Sequence, residues 1–269
     1  LVITNCYNTG DITGDRESAA ICGWTGGNST IQNCYNAGFV IGVDGTNYLY
    51  RNPGTQGVNN YNLNEAGQGT VFTEEDLANG KLAFMLNGSV NGGDNFYQFI
   101  GEDAYPMPFN FYVDEEPYKV YATGTILCDG TLSDEMSYTN DSSAEFVKLE
   151  HEYNEDGFCE LCQHSYLIST PEQLLNYSWA VQGDSVAQTA EVFLANDIDF
   201  AGFEEDWEPI GLCMSNATAD VDASYPFMGT FDGQGHKILN LKADFGDEET
   251  GGNRQFVGFF GAVGGGAII

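Results

Sequence analysis

Near its start the chain sets single apolar residues between polar ones in very short runs, and the runs recur. Ile3, Cys6 and Ile12 in "ITNCYNTGDITG" are matched 28 residues later by Ile31, Cys34 and Val40 in "IQNCYNAGFVIG". A shortened copy, "VNNYN", follows at 58–62. Gly10/Gly38 and Gly14/Gly42 fall where turns are needed, so the pattern predicts short strands with no room for helices between them. A period of 20 to 50 residues is the mark of a solenoid, whose repeats bury apolar faces only against their neighbours. Equivalent residues would then stack at about 4.8 Å, placing Cys6 and Cys34 in an inward ladder and the asparagines in a hydrogen-bonded one.

The periodicity then changes. "FTEEDLANGKLAFMLNG" at 72–88 predicts one short helix, with Thr73 as N-cap, acidic residues in the first turn, and Leu77, Leu82, Phe84, Met85 and Leu86 as its apolar surface. A second helix is predicted after Ser169 or Thr170. Pro171 stands in its first turn, Glu172 and Gln173 follow, and Leu174, Leu175, Tyr177, Trp179 and Val181 are apolar. Placed directly before a first strand, it would cover the open end of a strand stack. Strands are expected at 191–200, 226–231, 237–245 and 256–263, with a turn at Asp232-Gly233-Gln234-Gly235.

"AAICGWTGGNSTIQNCYNAG" at 19–38 resembles the GLUG repeat of bacterial cell-surface proteins, and 168–269 looks like the opening of the same kind of domain. "FYQFIGEDAYPMPF" at 96–109 is similar to the tail that closes many such repeats. The resemblance implies a mostly β protein, a right-handed parallel β-helix in two half-solenoids joined by a small α+β Cys/His module. The handedness comes from the family. The expected divisions are 1–72, C-terminal rungs; 73–120, closing helix and linker; 121–166, Cys/His module; and 167–269, helix-capped N-terminal rungs. The implied setting is extracellular, at a bacterial cell surface, in an adhesive or structural protein.

"ICGWTGGNSTI" at 21–31 aligns with "FFGAVGGGAII" at 259–269, so both ends are expected to lie inside a repeat. Leu1, Ile3 and Cys6 at one end, with Phe260, Ile268 and Ile269 at the other, form the expected stacking interface. It would join copies head to tail, continue into a tandem array, or mark the cut edges of a fragment. The start lacks Met and a signal-peptide pattern, as in an excerpt or a processed product.

Charge narrows the partners. The 269 residues carry 8 Lys plus Arg against 40 Asp plus Glu, a net charge of −32. Nucleic acid and anionic membranes both require a basic surface and are argued against. No run approaches the ~20 apolar residues that span a bilayer. The expected partners are the chain itself, through its stacking ends, and, as an alternative, a host or cell-surface glycan.

Of the seven cysteines, Cys6, Cys22 and Cys34 fall at repeat positions that want a small apolar side chain, and Cys213 is read the same way. The constellation with chemistry is Cys128, His151, Cys159 and Cys162. A Cys-x-x-Cys knuckle with a further Cys and His is the set that structural zinc prefers, and it also resembles a small Cys/His module of such surface proteins. The alternative is a disulfide from Cys159 to Cys162 or to Cys128. His164 is an alternate ligand. "HEYNE" at 151–155 lacks the second His of a zincin site. Asp197 and Asp199 straddle Ile198, facing either solvent or Ca²⁺. With acidic residues this common, carboxylate pairs such as Glu204, Glu205 and Asp206 do not specify an active site. The expectation is a non-enzymatic structural or adhesive protein, with a glycan-binding module or a fragment of a carbohydrate-active enzyme as alternatives.

Overall fold

Asn5, Asn33 and Asn59 stand at equivalent places in the repeat, and their φ angles are 54°, 52° and 50°. Asparagine tolerates this left-handed conformation better than most residues, and each one turns the chain sharply between two strands. Strands Val2–Thr4, Ser29–Gln32 and Thr55–Val58 precede these turns, and Tyr7–Asn8, Tyr35–Asn36 and Tyr61–Asn62 follow them. Repeat pairs with repeat in parallel and in register: Ile3 opposite Ile31, Tyr7 opposite Tyr35 and then Tyr61, Ile12 opposite Val40.

The computed structural model describes residues 1–16, 18–24, 27–42, 45–46, 48–51, 55–65, 67–108, 118–213, 224–243 and 258–269. Thr25 and Gly26 of the quoted repeat, the last residue of the quoted tail, the ends of the strands expected at 237–245 and 256–263, and the Cys213 side chain lie outside them. The chain forms two units. One comprises Leu1–Ile126 and Leu132–Lys148, the other Leu127–Thr131 and Leu149–Ile269.

The expected right-handed parallel β-helix in two half-solenoids is not what the chain forms. Among the described residues the strands are two to six residues long and fall into seven small sheets of two to four strands. Antiparallel pairings intervene, as between Tyr121–Ile126 and Ser137–Thr139 and between Leu212–Cys213 and Ser224–Tyr225. Repeat pairing is therefore present without a continuous solenoid, because the strands are too short and too often interrupted to join into continuous sheets. Nor is the segment 121–166 α+β, since no helix lies within it.

Polar side chains hold the first unit's repeats together. Asn8 donates to Asn36 Oδ1 at 2.8 Å and Asn36 to Asn62 Oδ1 at 3.2 Å, with Asn36 and Asn62 fully buried. Tyr7 stacks on Tyr35 with centroids 5.3 Å apart, and Tyr35 donates its hydroxyl to Pro106 O at 2.7 Å, within the tail motif. Tyr35 joins Phe72, Leu82, Leu86 and Phe96 in the core. Full burial of each such side chain contributes about 1.5–3 kcal/mol. The single helix expected within 72–88 is two: Glu74–Ala78, capped by Thr73, and Lys81–Leu86. Gly80, at φ +94°, breaks the run in a conformation that a side chain would strain.

In the second unit Thr170 caps helix Pro171–Val181 through a capping box with Gln173. The helix does not stand before the first strand of its sheet. Strand Ser165–Ile168 precedes it and pairs in parallel with Glu191–Leu194, so the helix belongs to a strand–helix–strand crossover. Leu174, Leu175, Tyr177 and Val181 meet Val192, Trp207 and Phe227 in the core, whereas Trp179 is 48% exposed. The strand expected at 191–200 breaks into Glu191–Leu194 and Ile198–Asp199.

Candidate metal centre

Local hydrogen bonding shapes the segment that carries three of the four candidate ligands. Asn154 Oδ1 accepts the N–H groups of Asp156 and Phe158, each at 3.0 Å, and Gly157 N–H donates to Asn154 O at 3.0 Å. Gly157 adopts φ +77°, where an added Cβ would lie 2.5 Å from Leu167 O. This turn folds 152–160 into a hairpin in which Tyr153 opposes Cys159 and Glu160 N–H donates to Glu152 O at 3.1 Å. His151 enters the hairpin, and Cys159 leaves it for the knuckle. There the N–H groups of Leu161 and Cys162 point at Cys159 Sγ. Gln163, at φ 58°, donates to Cys159 O at 3.0 Å and closes the knuckle.

Cys128 arrives on a second tight turn, Leu127–Thr131, in which Gly130 N–H donates to Leu127 O at 2.9 Å and Leu127 N–H to Thr131 O at 2.8 Å. The four donor atoms lie within 4.8 Å of one another. Cys128 Sγ is 3.7 Å from Cys159 Sγ, and His151 Nδ1 is 3.4 Å from Cys159 Sγ and 3.7 Å from Cys162 Sγ. Tetrahedral zinc, with bonds of about 2.3 Å to sulfur and about 2.0–2.1 Å to nitrogen, sets donor edges of about 3.8 and 3.6 Å. A disulfide requires about 2.05 Å. Cys128, Cys159 and Cys162 are free and buried.

Burial and hydrogen bonding act differently on the three thiols. Burial raises the Cys159 thiol, but N–H groups of Cys162, Leu161 and Glu152 together with His151 outweigh it and bring the group down to about 6. Burial, reinforced by the neighbouring cysteines, pushes Cys162 up to about 12, and burial raises Cys128 as well. Metal ligation requires deprotonated thiols, so binding of a dication by this set would be coupled to proton release. The donor set can hold a soft tetrahedral metal.

The other candidates lie elsewhere. His164 stays outside the donor group: its ring is 53% exposed, with Nδ1 2.8 Å from Cys162 O and 3.8 Å from Asp129 Oδ2. Asp197 Oδ1 accepts Lys237 N–H at 2.9 Å, and Asp199 Oδ1 accepts from Asn240 at 2.7 Å and Ala201 at 2.9 Å. These two carboxylates tie Ile198–Asp199 to Ile238–Leu239 and join no metal-donor group among the described residues. Cys6 and Cys22 are half-buried and free, and Cys34 is buried and free. Leu1, Ile268 and Ile269 are exposed, Ile3 and Cys6 are half-buried, and Phe260 packs against Phe227, Phe231 and Phe259 in its own unit. No helix among the described residues is long and apolar enough to cross a membrane.

Sequence reasoning assigned no role to Tyr153 or Ser165, which border the site. The signal was present: Tyr153 lies two residues from His151, so on an extended strand the two share a face.

No family model, characterised protein or solved structure matches this chain. The resemblance to GLUG repeats therefore rests on the quoted residues alone.

Proposed function

We propose that this chain is a non-enzymatic structural segment of an extracellular surface protein, its second unit clamped by one zinc ion on Cys128, His151, Cys159 and Cys162. The observation that carries the proposal is the convergence of three free thiols and an imidazole nitrogen at the spacing of a tetrahedral metal's ligands. Thiolate and imidazole donors in a closed set select zinc over the hard cations, which take oxygen. Two further features fit a structural role. Buried asparagine and tyrosine side chains are engaged in repeat-to-repeat contacts. The net charge of −32 opposes nonspecific association. Metal analysis of protein purified without added zinc, combined with disulfide mapping, tests the proposal. One equivalent of zinc with Cys128, Cys159 and Cys162 reduced is expected; a metal-free chain with these residues oxidised would refute it.

A further inference from the structure

A histidine that binds a metal through one ring nitrogen usually donates its other N–H to a carboxylate or carbonyl, which fixes the ring plane. His151 faces Cys159 and Cys162 with Nδ1, and its Nε2 has no hydrogen-bond partner among the described residues. An aromatic ring instead packs on the face of the imidazole. Tyr153 lies against the imidazole with centroids 5.4 Å apart and planes 25° from parallel. The Tyr153 hydroxyl is 3.0 Å from Ser165 Oγ, and Ser165 is 1% exposed. The same Ser165 accepts Cys159 N–H on its carbonyl at 2.9 Å. A closed chain of contacts thus runs from His151 through Tyr153 and Ser165 to Cys159, tying one ligand's ring to another ligand's backbone.

We propose that Tyr153 is the positioning residue of the metal centre, holding His151 so that Nδ1 is the ligand atom, with Ser165 fixing Tyr153 in turn. The inference rests on the metal reading above, and it assigns a division of labour within the site. The stack sets the tilt of the imidazole, while the hydroxyl bond sets the position of the stack. Tyr153→Phe keeps the first and removes the second, and Tyr153→Leu removes both.

The test is cobalt(II) binding by the full chain, read as affinity in a competition titration and as the visible spectrum, whose bands report the donor set. Tyr153→Leu should bind cobalt at least about 10-fold more weakly. Its bands should shift away from those of a three-sulfur, one-nitrogen site. Tyr153→Phe should lose less and keep the wild-type band pattern. Ser165→Ala should match Tyr153→Phe, and the double variant should be no weaker than either single one, because both remove one bond. Wild-type affinity and spectrum in both Tyr153→Leu and Tyr153→Phe would overturn the positioning role. Additive losses in the double variant would overturn the link through Ser165. Should Tyr153→Leu fail to fold, Tyr153→Phe and Ser165→Ala still decide the matter. A wild-type chain that takes up no cobalt would sink the metal reading itself, a separate result.

Discussion

Cys128 Sγ lies 3.7 Å from Cys159 Sγ, although 31 residues separate the two in the chain. That distance is too long for a disulfide and close to the edge of a zinc–thiolate tetrahedron. Neither residue's neighbours in sequence require the meeting. The meeting is a tertiary contact: Leu127–Thr131 groups with Leu149–Ile269 and not with the residues on either side of it.

Metal removal is therefore expected to loosen the second unit. With free zinc 100-fold above its dissociation constant, binding contributes about 2.7 kcal/mol of stability. At this chain length that corresponds to about 5–10 °C in melting temperature. Chelation or Cys159→Ser should lower the calorimetric transition by this order, and chelation should make Cys128, Cys159 and Cys162 reactive toward a thiol reagent. An unchanged transition would argue that the cluster contributes nothing to folding.

Asn36 is the centre of the buried ladder in the first unit. It donates to Gly38 O at 2.7 Å and to Asn62 Oδ1, and accepts from Asn8 and from Gly38 N–H. Asn36→Ala leaves several buried polar groups unsatisfied and is expected to cost about 2–3 kcal/mol by urea denaturation. Asn8→Ala, at a more exposed copy of the same position, should cost less.

Asp76 gives a pH dependence of known sign. Burial works against its carboxylate, but hydrogen bonds from Thr73 and Lys81 prevail and hold it below the ordinary Asp range. The folded-state value lies below the unfolded one, so the stabilisation is complete above the unfolded pKa and is lost as pH falls through the folded pKa. The stability difference between wild type and Asp76→Asn should be full at pH 7. It should shrink as the pH drops past about 3.9. A difference that instead grows in acid would contradict the assignment.

Gly80→Ala addresses the break between the two short helices. At φ +94° an alanine is strained, and its Cβ would also meet Ile100 Cδ1 at 2.6 Å. A loss of about 1–2 kcal/mol is expected. If the variant were instead more stable, the two helices would have merged into the single one that the local pattern favours.

Much of the site was legible before any fold was known. Cys159 and Cys162 form a knuckle by spacing alone, and Cys128 with His151 completes a donor set whose residue types name the metal class. Thr73 was legible as a cap for the same kind of reason, and the second cap was narrowed to Ser169 or Thr170, since a cap acts on backbone groups within one turn. Tyr153 and Ser165 were given no role. Tyrosine and serine are common, and their role exists only through a ring stack and a hydrogen bond formed across the hairpin.

The repeat interval was equally plain, and parallel, in-register pairing of Ile3 with Ile31 and of Tyr7 with Tyr35 and Tyr61 followed from it. Its continuation into one solenoid did not. Residue type and spacing determine ligand chemistry, caps and repeat register, because each depends on groups a few residues apart or on identical residues recurring at one interval. Which strands pair across a helix, how far each strand runs before an asparagine turns it, and which cysteines meet His151 were decided by tertiary structure. Those outcomes depend on burial and on contacts between segments distant in sequence, where closing a long loop costs entropy that only the assembled core offsets.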